Sequence, residues 1–172
     1  MLAIRLVKTS MVAATALFVL LVAFDNLVDY GANYELVRHT LSMDTTFPDT
    51  ALRGRAITSP AVWHAAYWVI ILIEGATGIV LALGAVRLAV NLRASGARFN
   101  SAKTLVVIGV GLGFMLWFTG FMILGGEWFA MWQSKAWNGQ QAAFWFYITL
   151  LAVVIFVNQP DGDLGDTSGP VD

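Results

Sequence analysis

The sequence predicts an all-α fold, a four-helix transmembrane bundle with short interfacial helices on the outer (periplasmic) side. Of its 172 residues, 58% are hydrophobic and only 12% are charged, which is too apolar for a soluble domain. Four long apolar segments alternate with polar connections, and a helix crosses a bilayer with about 20 apolar residues. We therefore predict one membrane domain over residues 1–157. Cysteine is absent, which excludes disulfides, iron–sulfur clusters and thiolate catalysis.

Each predicted span begins at a recognisable signal. The first follows a basic N-terminus and is expected to be retained, because its apolar run ends without the pattern of a cleavage site. Pro60 after Ser59 starts the second span, since proline loses nothing at the first helical position. The third span is rich in glycine, and the turn signal Asn138-Gly139 precedes the fourth. The predicted spans are residues 4–24, 60–87, 104–124 and 141–157.

The two connections on the outer side are expected to lie at the membrane surface. Apolar residues recur at spacings of three and four over residues 27–41, which predicts an extension of the first helix or an amphipathic surface helix. Residues 125–140, GGEWFAMWQSKAWNGQ, are too polar to span, and they predict a short interfacial helix. Four tryptophans are expected to anchor this interface: Trp63, Trp128, Trp132 and Trp137.

Charge patterns predict the fate of the tail and the orientation of the chain. Residues 158–172 hold four acids and no bases, and this tail is expected to be disordered. Deleting residues 161–172 should then leave stability unchanged, because such a tail has no apolar surface to bury. Six basic residues lie on the side of the two termini and four on the other side. Both termini are therefore expected to be cytoplasmic.

One ionisable residue lies deep in a predicted span. Glu74 is near the middle of residues 60–87, where a carboxylate costs at least about 2.5 kcal/mol unless it is paired or protonated. No basic residue lies at comparable depth in the other spans, so a neutral carboxyl that donates a hydrogen bond is expected. A functional role, in a proton relay or in binding a quinone or a cation, and a structural role between helices are about equally supported.

The remaining polar candidates are weaker. His39, Asp44, His64 and Glu127 could form a ligand or metal site on the outer side, since imidazole and carboxylate groups bind metals and haem. No spacing such as HxxxH or HExxH supports this site. Histidines that hydrogen-bond at the interface, and acids that pair with loop arginines, are the favoured interpretation. Small residues also predict close packing of the second and third spans. These residues are Gly75, Gly78, Ala82, Gly109 and Gly113.

Four features together resemble a known family. They are NLVDY after the first span, HTLSMDTTFP in the outer connection, the deep Glu74, and the GGEWFAMWQSKAWNGQ string. These features are similar to the predicted small integral membrane proteins of bacteria called domain-of-unknown-function family 2165. The similarity runs from the first span to about Asn158. It implies a four-span protein of the bacterial inner membrane and supplies no activity, substrate or catalytic residue.

The sequence contains no catalytic constellation, so the favoured hypothesis is a non-enzymatic accessory or structural subunit of a larger membrane complex. A respiratory or other energy-transducing complex is the expected host, by analogy alone. The expected partners are the lipid bilayer and other membrane subunits, with no nucleic acid and no required cofactor. The alternative is a redox or transport component that binds a quinone, a haem or a metal ion through Glu74, His64 and His39.

Overall fold

The computed structural model describes residues 1–165 and is all-helical over that range. Its α-helices are α1 (Leu2–Val28), α2 (Tyr30–Ser42), α3 (Pro60–Val90), α4 (Gly96–Ala102), α5 (Thr104–Phe114) and α6 (Gln140–Asn158). A π-helix, Met115–Trp128, continues α5, and short 3-10 turns lie at Ala51–Arg55 and Met131–Gln133.

Four long apolar helices confirm the predicted all-α architecture. They are α1, α3, α6 and the segment Gly96–Trp128, which comprises α4, α5 and the π-helix and is called the third helix below. Each is long and apolar enough to cross a membrane. All four run beyond the predicted spans, because the backbone hydrogen bonds of a helix continue through the polar residues that flank its apolar run.

The largest difference from the predicted elements lies in residues 125–140. The third helix continues through Gly125 and Gly126 to Trp128 instead of ending at residue 124, and only the turn Met131–Gln133 follows. Both glycines are buried, and a β-carbon at Gly126 would lie 2.5 Å from Nε2 of Gln140. Close packing against the start of α6 therefore keeps these glycines in the third helix, where a separate interfacial helix was expected.

The third helix approaches α3 closely through two glycines. A β-carbon at Gly109 would lie 2.8 Å from the side chain of Leu81, and one at Gly113 would lie 3.1 Å from that of Thr77. A larger residue at Gly109 would displace α3, and one at Gly113 would also clash with the side chain of Leu150 of α6, at 2.6 Å. The glycines of the third helix thus set the distance between these two helices.

The α3 side of this contact differs from the predicted strip. A β-carbon at Gly78 would lie 2.7 Å from the side chain of Leu20, so Gly78 packs against α1. Ala82 packs at the edge of the main core. A β-carbon at Gly75 meets nothing within 4 Å. The face of α3 that contacts the third helix is therefore rotated away from the predicted Gly75–Gly78 strip.

The N-terminus, the connection after α3 and the segment after α6 meet at one end of the bundle, here called the termini end. The guanidinium of Arg5 is buried there and donates to the carbonyl oxygens of Leu92, Ala94 and Gly162. The connection after α2 and the one after the third helix meet at the opposite end, here called the loop end.

The structure differs from the predicted disordered tail over residues 159–163. Asp161 lies between two lysines, and its Oδ2 is 2.7 Å from Nζ of Lys8 and 2.6 Å from Nζ of Lys103. We call these three residues the Asp161 clamp. Two ammonium groups this deeply buried require a counter-charge, and composition alone does not reveal that need. Residues 166–172 of the predicted tail lie outside the described residues.

Candidate functional site

Glu74 lies in the middle of α3, with 3% of its surface exposed. Because α1 and α3 pack antiparallel, the end of α1 reaches this level of α3. Nδ2 of Asn26 donates a hydrogen bond of 2.7 Å to Oε2 of Glu74. Within residues 1–165, the other carboxyl oxygen, Oε1, receives no hydrogen bond. The carboxyl group therefore points into the bundle with one oxygen left for another donor.

Asn33 and Tyr67 extend the polar contacts around Asn26. Asp29 leaves helical geometry, with φ −112° and ψ 60°, and separates α1 from α2. Helix α2 then crosses α3 and places Nδ2 of Asn33 2.6 Å from Oδ1 of Asn26. The hydroxyl of Tyr67 donates to the backbone carbonyl of Asn26 at 3.3 Å. Side-chain hydrogen bonds thus run from Asn33 through Asn26 to Glu74.

Packing on α3 explains why α2 turns away from the line of α1. Val37 of α2 forms a small apolar cluster with Tyr67 and Ile71 of α3. Tyr30, Tyr34 and Leu41 of the same apolar pattern also pack against this cluster, whereas Leu27 of α1 is 50% exposed. The segment Tyr30–Ser42 is thus a helix that is separate from α1 and packs against α3.

A cavity of about 140 Å³ adjoins Glu74 and is here called the Glu74 cavity. Asn26 and Asn33 line it together with Glu74. Four aromatic residues contribute to its wall: Tyr67, Trp117, Phe121 and Phe146. The cavity therefore combines one carboxyl group and two amides with an aromatic surround.

A second cavity of about 250 Å³ lies between α2, α3 and the π-helix and is here called the apolar cavity. Its lining residues are apolar apart from Thr40. The two cavities have four lining residues in common: Leu36, Val37, Ile70 and Phe121. The Glu74 cavity and the apolar cavity are therefore neighbours separated by a thin layer of side chains.

The π-helix contributes to both cavities. Trp117 and Phe121 line the Glu74 cavity, and Gly120 and Gly125 line the apolar cavity. Stretches of π-helix are rare in proteins, and those that occur are often found at functional sites. A β-carbon at Gly120 would meet only the side chain of Leu116, at 4.0 Å. The space beside Gly120 therefore exists because this residue has no side chain.

His39 and Asp44 are brought together at the loop end. Nδ1 of His39 is 2.7 Å from Oδ1 of Asp44, and Nε2 of His39 is 2.7 Å from Nη2 of Arg38. Because arginine can only donate, Nε2 is the acceptor and Nδ1 carries the proton. The ring also stacks on Trp137 at 4.6 Å. Both nitrogens of His39 are thus engaged in hydrogen bonds with its neighbours.

His64 and Glu127 lie apart from that pair. Nδ1 of His64 is 2.8 Å from the hydroxyl of Tyr30, and its ring stacks on Tyr34 at 4.4 Å. Glu127 is exposed near the end of the third helix. In the described part of the chain, no three His, Asp or Glu side chains are placed to hold a metal ion together.

The four tryptophans predicted as anchors have different surroundings. Trp128 and Trp132 are about half exposed, and the guanidinium of Arg55 lies 4.6 Å from the ring of Trp128. Trp63 is partly buried and donates from Nε1 to the carbonyl of Ile57. Trp137 lies against His39, as described above. Two of the four therefore present an exposed indole at the loop end.

Asn26 and Asn33 are site residues that the sequence patterns did not single out. A signal for Asn26 exists, because it follows Val19 and Ala23 on the buried face of α1 at helical spacing. Asn26 is also the first residue of the NLVDY string. Asn33 carries no comparable signal, since its place depends on the break at Asp29.

Replacing Glu74 with Leu is expected to lower the free energy of unfolding by about 1 kcal/mol, the scale of an interhelical hydrogen bond in a membrane protein. The change leaves Nδ2 of the buried Asn26 without an acceptor. Glu74→Gln keeps an acceptor oxygen at similar volume and is expected to unfold like the wild type. Thermal unfolding in detergent measures both variants. An equal loss in both would show that the hydrogen bond from Asn26 is not what stabilises this contact.

Comparison with curated proteins finds no match, and comparison with solved structures finds none. Residues 4–160 match the model of a family described as predicted small integral membrane protein, domain-of-unknown-function family 2165. The matched range contains the carboxyl group of Glu74, both asparagines and every lining residue of the two cavities. The resemblance seen in the sequence is thereby confirmed, and the chain belongs to this family of small integral membrane proteins.

Proposed function

We propose that this protein binds a small amphipathic molecule within the membrane, as a component of transport or redox chemistry. The polar part of the ligand would contact Glu74, and its apolar part would lie in the apolar cavity. The observation that carries this proposal is the pairing of a buried carboxyl with a cavity whose walls continue into a larger apolar one. An intramembrane acid that faces a cavity is expected to serve a ligand or a proton.

The chemistry of the two cavities favours a ligand with two unlike ends. Small-molecule sites are mostly apolar, with a few placed polar groups, and their volumes start at about 300 Å³. The two cavities taken together reach that size.

The donor groups of the chain do not favour the haem or metal form of this hypothesis. Glu74, His64 and His39 were the predicted ligands, and each lies in a different cluster of contacts. A haem or a metal ion needs donors that converge on one point. An organic molecule beside Glu74 alone needs no contribution from either histidine.

Gly120→Leu tests this proposal, because its side chain would extend into the apolar cavity without a clash at the β-carbon. Wild-type protein purified in mild detergent is expected to release a small amphipathic molecule on solvent extraction, and the variant is expected to retain little of it. Mass spectrometry of the extracts measures both. Gly111→Leu is the matched control, since Gly111 is exposed on the same helix with nothing within 4 Å.

Two results would contradict this proposal. One is that neither the wild type nor the Gly111→Leu control carries a bound molecule and that neither gains thermal stability from any added amphiphile. The other is that Gly120→Leu retains the same molecule in the same amount as the wild type. Either result would leave the two cavities as a packing feature of the bundle.

An accessory role in a larger membrane complex is the second candidate function. Gly75 lies beside the exposed Ala76, and the same face of α3 carries the exposed Leu72 and Ile79. Small residues between larger ones allow another membrane helix to approach closely. Gly75→Leu would then release a partner that co-purifies with the wild type and with Gly111→Leu. Unchanged co-purification would argue against this face as the contact.

We also propose that the chain lies in a bacterial inner membrane with both termini in the cytoplasm. The N-terminus and the segment 159–162 after α6 meet the connection after α3 at the termini end, which supports one common side for all three. The basic residues predict that this side is cytoplasmic. Reporter fusions after Asp172 and at Ser95 are expected to report the cytoplasm, and a tag near Thr50 the opposite side. A periplasmic reading at Asp172 would overturn the charge argument.

A further inference from the structure

We propose that the polar end of the ligand is an ammonium cation and that the carboxylate of Glu74 is its counter-charge. This inference rests on the proposed function and adds the chemical class of the ligand. The ligand would be a lipophilic amine or a quaternary ammonium compound with one apolar chain. The charge, the aromatic wall and the volume of the Glu74 cavity each support this class.

Glu74 forms no ion pair within residues 1–165. Within residues 1–165, the salt bridges involve the Asp161 clamp and the Glu35, Arg38, His39 and Asp44 group, and none of them includes Glu74. Among the described residues, no Lys, Arg or His lines the Glu74 cavity. A carboxylate in such apolar surroundings must be neutralised by a proton or by a cation that comes from outside the chain. An anionic ligand would be repelled at this position.

The aromatic wall selects among the groups that could neutralise Glu74. The faces of Trp, Tyr and Phe rings attract ammonium groups, and the attraction grows when the site is shielded from water. Four such rings line the same small cavity as the carboxyl group. Trp117 among them is 2% exposed and stacks on Phe146 at 4.5 Å, so its position is fixed by packing. A carboxylate with an aromatic surround is the arrangement expected for an organic ammonium ion.

Volume limits the head of the ligand, and the neighbouring cavity places its chain. The Glu74 cavity of about 140 Å³ has room for four or five heavy atoms at about 30 Å³ each. A trimethylammonium group has this size. The apolar chain would pass the side chains shared by both cavities, Leu36, Val37, Ile70 and Phe121, and continue into the apolar cavity.

The test compares a cation with its uncharged copy. Hexyltrimethylammonium and 2,2-dimethyloctane have the same shape, with a carbon atom in place of the nitrogen. Each is titrated into the full chain in maltoside detergent, which has no ammonium group, and the signal of empty micelles is subtracted. The cation is expected to bind the wild type with a Kd about tenfold or more lower than that of its isostere, a difference of about 1.4 kcal/mol. Glu74→Gln is expected to lose this preference for the cation, because an ammonium group without a counter-charge is costly in apolar surroundings.

A third titration identifies the source of the ammonium group. A short-chain phosphatidylethanolamine carries an ammonium group and a phosphate, and the phosphate would bring a negative charge close to Glu74. It is expected to bind more weakly than hexyltrimethylammonium. Tighter binding of this lipid would mean that the site does recognise an ammonium group and that this group belongs to a lipid headgroup.

The results that would overturn this inference are distinct from those that would overturn the proposed function. Equal affinity of the wild type for the cation and the isostere would show a neutral ligand, and that comparison needs no variant. Undiminished cation binding by Glu74→Gln would show that the carboxylate of Glu74 is not the counter-charge of the ligand. In both cases, loss of binding in Gly120→Leu would leave the proposed function standing. If neither compound binds and no molecule co-purifies, both proposals fail.

Discussion

Replacing Asp161 with Asn is expected to lower the free energy of unfolding by about 3 kcal/mol, because it leaves two buried lysines without a counter-charge. Lys8, Asp161 and Lys103 each have side chains that are no more than 6% exposed. Removing one member of a buried ion pair costs about 3–5 kcal/mol. The lower end applies here, since Nζ of each lysine keeps the carbonyl of Gln159 as an acceptor. Chemical unfolding in detergent measures the change.

The same contact predicts a dependence on pH. Burial alone raises the pKa of the Asp161 carboxyl, but the hydrogen bonds and charges of Lys103 and Lys8 outweigh burial and hold it below the ordinary value of 3.8. A lowered pKa in the folded state means that the carboxylate stabilises the fold at every pH above the ordinary value. That stability is lost as the pH falls through the lowered pKa. Wild-type stability is therefore expected to fall below about pH 4 more steeply than that of Asp161→Asn.

Asp163→Asn is the matched control for the Asp161 clamp. Asp163 is exposed in the same segment, accepts from the backbone N–H of Gly96, and forms no salt bridge within residues 1–165. Its change is expected to cost about 1 kcal/mol or less, the scale of one hydrogen bond. Deleting residues 161–172 should cost more than Asp161→Asn, because it also removes the Gly162 carbonyl that accepts from the buried Arg5, in contrast to the expectation from composition. Unchanged stability of Asp161→Asn would show that another acceptor satisfies both lysines.

The Asp161 clamp shows where prediction from the sequence ends. Composition correctly indicates that the tail has little apolar surface to bury. It does not show that Lys8 and Lys103 approach each other inside the termini end, because this depends on how α1 and the third helix pack. The partner of both lysines lies far along the chain, and no local pattern links it to either of them.

The candidate site, too, could be predicted from the sequence only in part. The depth of Glu74 follows from its place in an apolar run, and the four long helices follow from hydropathy and length. The cavities do not follow, because they depend on the break at Asp29, which turns α2 over α3, and on the π-helix around Gly120. Neither feature has a periodicity that distinguishes it from a regular α-helix. The contacts of the two histidines were harder still to predict, since His39 of α2 and His64 of α3 take partners that only tertiary packing selects.

Trp117→Ala is expected to lower the free energy of unfolding by about 3 kcal/mol, the low end for removal of a buried aromatic side chain. Trp117 is 2% exposed and stacks on Phe146 of α6, which in turn stacks on Phe18 of α1 at 5.1 Å. These rings join three of the long helices in one column. In a bilayer the cost comes from lost packing and from the void, because lipid is as apolar as the core. The low end of the range is therefore the expected value.

Trp145→Ala on α6 is the matched control, because it also removes an indole but from a position outside the packed column. Trp145 is 62% exposed, and its replacement is expected to change stability by no more than about 0.5 kcal/mol. Both variants are unfolded in the same detergent and compared with the wild type. The void left by Trp117→Ala would also open the wall of the Glu74 cavity, so the variant should bind hexyltrimethylammonium more weakly than Trp145→Ala does. Equal stability of the two variants would mean that the aromatic column does not hold α6 to the bundle.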